Sequence, residues 1–296
     1  MKRVFYIVGP TAVGKSEIAA EVAHRLGAEV LSADAFQIYC GLDILTAKPD
    51  RETLAKAPHH LIGAVPLSEE MNAEKFRDAA SEIIGRGKPV IVVGGTGLYI
   101  KALTHGLASL PAADQPLRQR LEGATNEELL RSLVALDPVT AEKIDRHNRR
   151  RLVRAVEVCL LTGRRFSAQR GEWKDSASAN GVRLERDRAE LSARIDRRVE
   201  QMFAAGVLEE VRDVKNVGPT AAQTLGLREI RSLIAGEISQ AECIAEIQQA
   251  TRRYAKRQLT WFRGQTNFPS LNLSAHDSAE AVEFISQSVS RVLTSG

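Results

Sequence analysis

With 296 residues, 44% of them hydrophobic and 26% charged, and a formal net charge of +4, the chain can build one large domain or two modest ones and is not disordered, collagenous or coiled-coil. No apolar run approaches the ~20 residues that span a bilayer, and three scattered cysteines, Cys40, Cys159 and Cys243, are too few for a disulfide framework or a zinc cage. A cytoplasmic, monomeric protein without membrane association is expected.

Residues 4–8 (Val-Phe-Tyr-Ile-Val) form a β-branched and aromatic run that reads as a buried parallel strand. The run stops at Gly9-Pro10 with no small-residue cleavage site, so it is no signal peptide. Helical spacing of Ile18, Ala19, Val22, Ala23 and Leu26 predicts a helix from Ser16 to Leu26, ended by Gly27. Val30-Leu31 is a second strand ending near Asp34. Asn72 is placed to cap a helix running to Ile84, and Pro89 to Val93 is a third buried strand stopped by Gly94-Gly95. Strands alternating with helices imply a doubly wound parallel sheet.

The pattern changes after Leu110-Pro111: from Asp114 to about Lys174 only helical periodicity is visible. Asp175 to Gly181 reads as a linker, and strand character returns weakly at Val182-Arg183-Leu184 before helices dominate to the end. The expected fold is α/β, a P-loop NTPase-like doubly wound parallel sheet formed by residues 1–111 and 179–296, with an inserted all-helical domain at 112–178. Charge is uneven across this plan. Between Lys143 and Lys174 stand ten basic residues against three acids, an excess of seven positive charges. A second stretch, Ile247 to His276, has no acid and interleaves Arg252, Arg253, Lys256, Arg257 and Arg263 with Tyr254, Trp261, Phe262 and Phe268. Solvated helix faces account for such runs; a polyanion with stackable bases accounts for them equally well.

Gly9-Pro10-Thr11-Ala12-Val13-Gly14-Lys15-Ser16 matches G-x-x-x-x-G-K-[ST] between a buried strand and an amphipathic helix. In that context the backbone N–H groups curl around phosphate oxygens, the helix start adds positive potential, Lys15 supplies a point charge and the Ser16 hydroxyl can ligate Mg²⁺. A nucleotide hydrolase further needs a strand ending in an acid that holds the metal and places water. Here the best buried strand ends instead in Gly94-Gly95-Thr96-Gly97, and the acid nearest a strand end is Asp34. A diphosphate cradle, one carboxylate and a Gly-Thr turn suit group transfer to an acceptor better than hydrolysis. His59 and His60 lack a cysteine or carboxylate at ligand spacing and read as structural.

Seven ordered blocks carry a resemblance: Gly-Pro-Thr-Ala-Val-Gly-Lys-Ser (9–16), Ser-Ala-Asp-Ala-Phe-Gln-Ile-Tyr (32–39), Asp-Ile-Leu-Thr-Ala-Lys-Pro (43–49), Pro-His-His-Leu-Ile (58–62), Val-Gly-Gly-Thr-Gly-Leu-Tyr-Ile-Lys-Ala-Leu (93–103), Arg-Arg-Leu-Val-Arg-Ala (150–155) and Ala-Lys-Arg-Gln-Leu-Thr-Trp-Phe-Arg (255–263). Together, over nearly the whole chain, they resemble the tRNA dimethylallyltransferases. The resemblance implies transfer of a dimethylallyl group from dimethylallyl diphosphate to N6 of the adenosine 3′ of the anticodon, position 37, with release of diphosphate. It implies a diphosphate cradle of Gly9, Thr11, Ala12, Val13, Gly14, Lys15 and Ser16, with Mg²⁺ at Ser16. Asp34 matches the general base and Thr96 the residue that positions the reacting amine. Asp34, Ala35, Phe36, Gln37 and Thr96 would touch the anticodon stem-loop at the target base. Arg118, Arg150, Arg151, Arg154, Gln223 and Arg228 match further tRNA contacts, and the stretch from Gln223 to Arg228 could also reach the diphosphate. The sequence departs from the family pattern at Ala35 (often Ser), Leu45 (usually Gly), Gly63 (commonly Asp) and Leu227 (commonly Tyr).

Three other readings are compatible with parts of the sequence. An adenylate isopentenyltransferase would run the same chemistry on free nucleotides without needing a basic insertion. A P-loop small-molecule kinase would need arginine-bearing lid signals, which are missing here. A non-catalytic RNA-binding protein would keep the loop as a relic.

Overall fold

The computed structural model describes residues 3–107, 110–169 and 179–294. In chain order the elements are β1 (Val4–Val8), α1 (Lys15–Leu26), β2 (Glu29–Ser32), α2 (Arg51–Ala55), β3 (His59–His60), α3 (Ala73–Gly85), β4 (Val90–Gly94) and α4 (Gly97–Thr104), then α5 (Gln115–Glu122), α6 (Asn126–Leu136), α7 (Pro138–Lys143), α8 (Arg149–Thr162) and α9 (Phe166–Gln169), then β5 (Gly181–Glu185), α10 (Arg188–Ala204), α11 (Val207–Asp213), α12 (Leu227–Ile234), α13 (Gln240–Gln265), β6 (Ser270–Asn272) and α14 (Ser278–Thr294). They divide into two compact units, Met1–Thr104 with Ala177–Gly296, and His105–Ser176.

The first unit is a six-stranded, all-parallel sheet in the order β3-β2-β4-β1-β5-β6. The doubly wound α/β arrangement expected from the alternation of strands and helices is the one found. Every residue of β1, β2 and β4 is buried, which is why these strands read as apolar runs and not as alternating ones. Period-two geometry sends Phe5 and Ile7 to one face, against α1 and α14, while Val4, Tyr6 and Val8 meet α3, α4 and α13 on the other. The chain leaves β1 for β2 on one side and later returns to β5 on the other. Beyond the carboxyl ends of β1, β2 and β4, the loop 9–14, Asp34 and the turn 94–97 therefore come together. Ligands of open α/β sheets bind at such an edge.

Local chemistry sets the boundaries. Gly27 ends α1 in the left-handed conformation at φ 61°, and the Asn72 side chain accepts the Glu74 and Lys75 N–H groups at the start of α3. Two strands escaped the periodicity reading because they are only two and three residues long: β3 and β6. Of the expected linker, residues 175–178 lie outside the described residues, as do Arg170 and Lys174 of the basic run. Gly181, read as the linker's end, already belongs to β5 and pairs with Tyr6.

The second unit is helical throughout its described residues. Leu129, Leu133, Leu152, Ala155 and Val156 fill its core. Thr125 and Glu128 form a reciprocal capping box on α6, Asn148 caps α8, and Asp137 caps α7 while also accepting from Ser167. Glu157, fully buried on α8, accepts from Arg118, from Arg154 and from the Asp114 N–H.

Candidate active site

The loop between β1 and α1 is held from outside by arginines of the second half of the sheet unit. Arg186 Nε donates to the Val13 carbonyl at 3.0 Å and Arg194 Nε to the Ala12 carbonyl at 2.9 Å. With those carbonyls turned toward guanidinium groups, Ala12 is held at φ 63° and Gly14 at φ 105°. Lys15 Nζ donates to the Pro10 carbonyl at 2.7 Å. Burial lowers the Lys15 pKa to about 8; the Asp34 charge raises it and Arg198 lowers it further. Arg198 Nη1 lies 3.5 Å from the Thr11 hydroxyl, and burial also lowers its pKa. Loop, ammonium and guanidinium thus make a concentrated positive well at the start of α1.

Asp34 follows β2. Its Oδ1 accepts the Phe36 and Gln37 N–H groups at 2.9 and 3.2 Å, which fixes the carboxylate on a turn of its own making. The Thr96 hydroxyl accepts the Ala35 N–H at 2.9 Å, joining the turn after β4 to the turn after β2. Gln37 Nε2 donates to the Thr46 and Ala47 carbonyls and orders the segment across from the loop.

Helix α13 ties the two turns together. Gln258 accepts the Thr11 N–H through Oε1 at 2.9 Å and donates through Nε2 to the Gly95 carbonyl at 3.0 Å. One turn earlier on α13 stands Tyr254, whose pKa is raised by burial. Its ring lies 6.3 Å from that of Phe36, and the Arg257 guanidinium sits 5.6 Å above it.

These groups surround a cavity of about 780 Å³ whose wall includes Thr11, Gly14, Lys15, Ser16, Asp34, Gln37 and Arg198. A smaller cavity of about 60 Å³ shares Thr11, Asp34 and Arg198 and adds Phe36, Tyr254 and an apolar lining of Leu45, Ile195, Val199, Leu225 and Ile247. A positive well, a fixed carboxylate and an apolar side pocket are what a phosphorylated hydrocarbon donor would need.

The sequence-predicted residues fall into three groups. Thr11, Ala12, Gly14, Lys15, Ser16, Asp34 and Gln37 line the large cavity, with Phe36 on the smaller one; Thr96 and Ala35 bond each other beside them, and Gly9 and Val13 shape the loop. Arg118 and Arg154 are engaged by the buried Glu157, whereas Arg150 and Arg151 stand exposed on α8. Gln223 and Arg228 are exposed and outside both cavity walls; Arg228 pairs with Glu229, and their neighbours Thr224 and Leu225 reach the smaller cavity instead. His60 bonds Glu29 at 2.8 Å and His59 the Ala57 carbonyl at 2.7 Å, both structural partnerships.

Sequence reasoning assigned nothing to Arg186, Arg194 or Arg198, and gave Tyr254 and Gln258 only a place in the basic, aromatic stretch near the end of the chain. For Gln258 a signal existed. It continues the stripe of Ile247, Ala255 and Phe262 that α13 buries, so a polar residue there had to find buried partners. Arg186, Arg194 and Arg198 offered none, because their partners, two loop carbonyls and the Thr11 hydroxyl, are distant in sequence.

A family model described as IPP transferase matches residues 37–265. The chain belongs to this family. It is 44% identical over 273 residues to tRNA dimethylallyltransferase 1 of Citrifermentans bemidjiense, covering 88% of this chain and 89% of that one. The full-length tRNA isopentenylpyrophosphate transferase of Bacillus halodurans superposes with a TM-score of 0.71 at 33% identity, with 99% of both chains covered. A eukaryotic dimethylallyltransferase whose structures were solved acting on tRNA gives a TM-score of 0.80 at 27% identity, covering 97% of this chain and 80% of that one.

Leu45 and Leu227, two positions where the sequence was expected to depart from the family pattern, are both buried in one apolar cluster with Val199, Ile230 and Ile247. Gly63 sits at φ 55°, where glycine carries no Cβ penalty.

Proposed function

We propose that the protein transfers a dimethylallyl group from dimethylallyl diphosphate to N6 of the adenosine at position 37 of tRNA. The observation that carries the reading is the convergence of the arginine-backed loop and Asp34 on one cavity, with Thr96 bonded to the turn after Asp34 and Gln258 joining the loop to Gly95. The diphosphate lies in the loop with Lys15 and Arg198 around it. Their charges are worth most as the C1–O bond breaks and negative charge gathers on the leaving oxygen. The N6 lone pair forms the new bond to C1, Asp34 takes one amine proton, and diphosphate departs. A target base inside a stacked loop must be extruded to reach Asp34.

Mg²⁺ fits this donor set. Ser16, Glu17 and Asp34 offer hard oxygen atoms on the large cavity, and no group of three or more His, Cys, Asp or Glu side chains able to hold a metal occurs among the described residues. Ser16 would supply a single protein oxygen, with substrate phosphates and water completing the shell. When bound, the ion offsets diphosphate charge.

Exposed Arg150 and Arg151 on α8, and Arg253, Lys256 and Arg257 on α13, are the basic side chains for the RNA backbone. No helix among the described residues is long and apolar enough to cross a membrane. The reading takes the protein as a monomer that meets tRNA in the cytoplasm. The deciding experiment treats unmodified tRNA, and separately AMP, with the protein, dimethylallyl diphosphate and Mg²⁺, followed by mass analysis of nucleosides. Prenylated adenosine in tRNA alone is expected; label in AMP alone, or phosphate moved from ATP, would overturn the reading. Reversing Arg150 and Arg151 to Glu should weaken tRNA binding about tenfold and reduce its salt slope by about two, leaving donor affinity unchanged.

A further inference from the structure

We infer that Gln258 is a positioning residue that holds Asp34 in register with the donor loop. The inference rests on the transferase reading and concerns how the base and the departing diphosphate are kept at a fixed separation. Each side of the site has anchors of its own. Arg186 and Arg194 hold the Val13 and Ala12 carbonyls of the loop, and the Phe36 and Gln37 N–H groups fix Asp34 on its turn. Neither set of anchors relates one side to the other. The loop follows β1 and Asp34 follows β2, and these strands are not neighbours, because the sheet order places β4 between them. At about 4.8 Å per strand, roughly 10 Å of sheet separates the two chain ends. The turn after β4 has to carry the register across that gap.

On the β2 side, bonds continue past the strands. The Thr96 N–H donates to the Ala33 carbonyl at 3.2 Å and the Thr96 hydroxyl accepts the Ala35 N–H at 2.9 Å, so Thr96 grips the backbone before and after Asp34. On the β1 side the strand pairing stops at Val8 and Gly94, and Gln258 continues it from α13. Its Oε1 accepts the Thr11 N–H at 2.9 Å and its Nε2 donates to the Gly95 carbonyl at 3.0 Å. Gln258 is only 5% exposed, so neither end of the amide can exchange its partner for water without the cost of a buried unpaired group. Gly95 is what admits the amide so closely, since a Cβ there would fall 2.1 Å from Nε2. A continuous path therefore runs from Thr11 through Gln258 and Gly95 to Thr96 and the two flanks of Asp34. Thr11 and Asp34 line both cavities, so the path joins the wall that takes the diphosphate to the wall that takes the proton. A displacement of about 1 Å between reacting groups costs on the order of a hundredfold in rate, which sets the size of the effect to be sought.

The test compares Gln258→Met, which keeps the length of the side chain and loses both hydrogen bonds, with the unaltered protein. Single-turnover rates are measured on unmodified tRNA with dimethylallyl diphosphate and Mg²⁺, with thermal unfolding followed alongside. The rate should fall about thirtyfold, while Kd for donor and for tRNA stay within about threefold, because the arginine anchors of the loop are untouched. In an Asp34→Ala background the same substitution should cost less than about threefold further, because no base is left to hold in register. Should Gln258→Met fail to fold, Gln258→Glu, which keeps the outline and the acceptor but sets an oxygen against the Gly95 carbonyl, carries the same expectation for the rate in both backgrounds. An unchanged rate, a loss confined to Kd, or the full loss repeated in the Asp34→Ala background would each overturn the inference while leaving the transferase reading intact. An unaltered protein that forms no prenylated tRNA would instead overturn both.

Discussion

The turn at residues 9–14 and the turn at residues 94–97 both bring glycines to the same cavity, yet they need them for different reasons. At Gly14 the backbone lies at φ 105°, and a Cβ there would meet nothing nearer than 3.8 Å; the conformation demands glycine. Gly94, Gly95 and Gly97 have no such backbone. A Cβ on them would fall 2.3 Å from the Ala33 carbonyl oxygen, 2.1 Å from Gln258 Nε2 and 2.4 Å from the Trp261 ring. Gly9 of the first turn is also closely packed, its Cβ position lying 2.5 Å from the Leu184 carbonyl oxygen, so only Gly14 there is set by conformation alone. The second is a meeting point, where β2, β4 and α13 come close enough to align Asp34 and Thr96. Gly14 therefore answers to local conformation, and the glycines of the second turn to the close approach of three separate stretches of chain.

The largest effect should come from the acceptor side. Asp34→Ala removes the proton acceptor and should lower kcat about a thousandfold, within the usual range for a general base, with tRNA and donor affinities little changed. If turnover survived, the assignment of separate donor and acceptor halves would be wrong. Because Asp34 Oδ1 also organises the Phe36 and Gln37 N–H groups, Asp34→Asn sharpens the result: it keeps the turn, loses the base and should be nearly as inactive.

Next come the glycines themselves. Gly94→Ala drives a Cβ into backbone that cannot give way, and should cost about 3 kcal/mol of stability through overpacking. Gly14→Ala has open space and only conformational strain, about 1 kcal/mol. Denaturant melts of the two variants should separate them by about 2 kcal/mol. Equal losses would erase the distinction between a turn shaped by conformation and one shaped by close packing.

The same distinction explains what could be read from the sequence. The loop 9–16 was legible because motif, strand and helix are contiguous, and Lys15 and Ser16 lie on the cavity. Gly94-Gly95-Thr96-Gly97 read as a strand-end turn with a part in group transfer, but the packing that requires its glycines was not visible, since Ala33 lies on another strand's end and Gln258 and Trp261 more than 160 residues away. Arg118 and Arg154 could not be distinguished from the exposed Arg150 and Arg151, because the buried Glu157 that engages them is defined by packing and not by spacing. β3 and β6 carry too few residues for any period to show.

The smallest effect probes the donor side through pH. Burial lowers the Lys15 pKa to about 8 even though the Asp34 charge works against it. Below that pH the free protein presents an ammonium to the diphosphate; above it the cradle loses a positive charge, and binding must first restore the proton. Donor Kd should therefore be nearly flat from pH 6 to 7 and rise severalfold by pH 9, approaching tenfold per unit above the pKa. Calorimetric titration with dimethylallyl diphosphate and Mg²⁺ in buffers of different ionisation enthalpy would reveal proton uptake on binding near pH 8. In Lys15→Met both the rise and the uptake should vanish, with weaker binding throughout. In Asp34→Ala the Lys15 ammonium loses its favourable neighbour, so the rise should begin at lower pH. A midpoint that stayed in place would mean that the two halves of the site do not sense each other's charge.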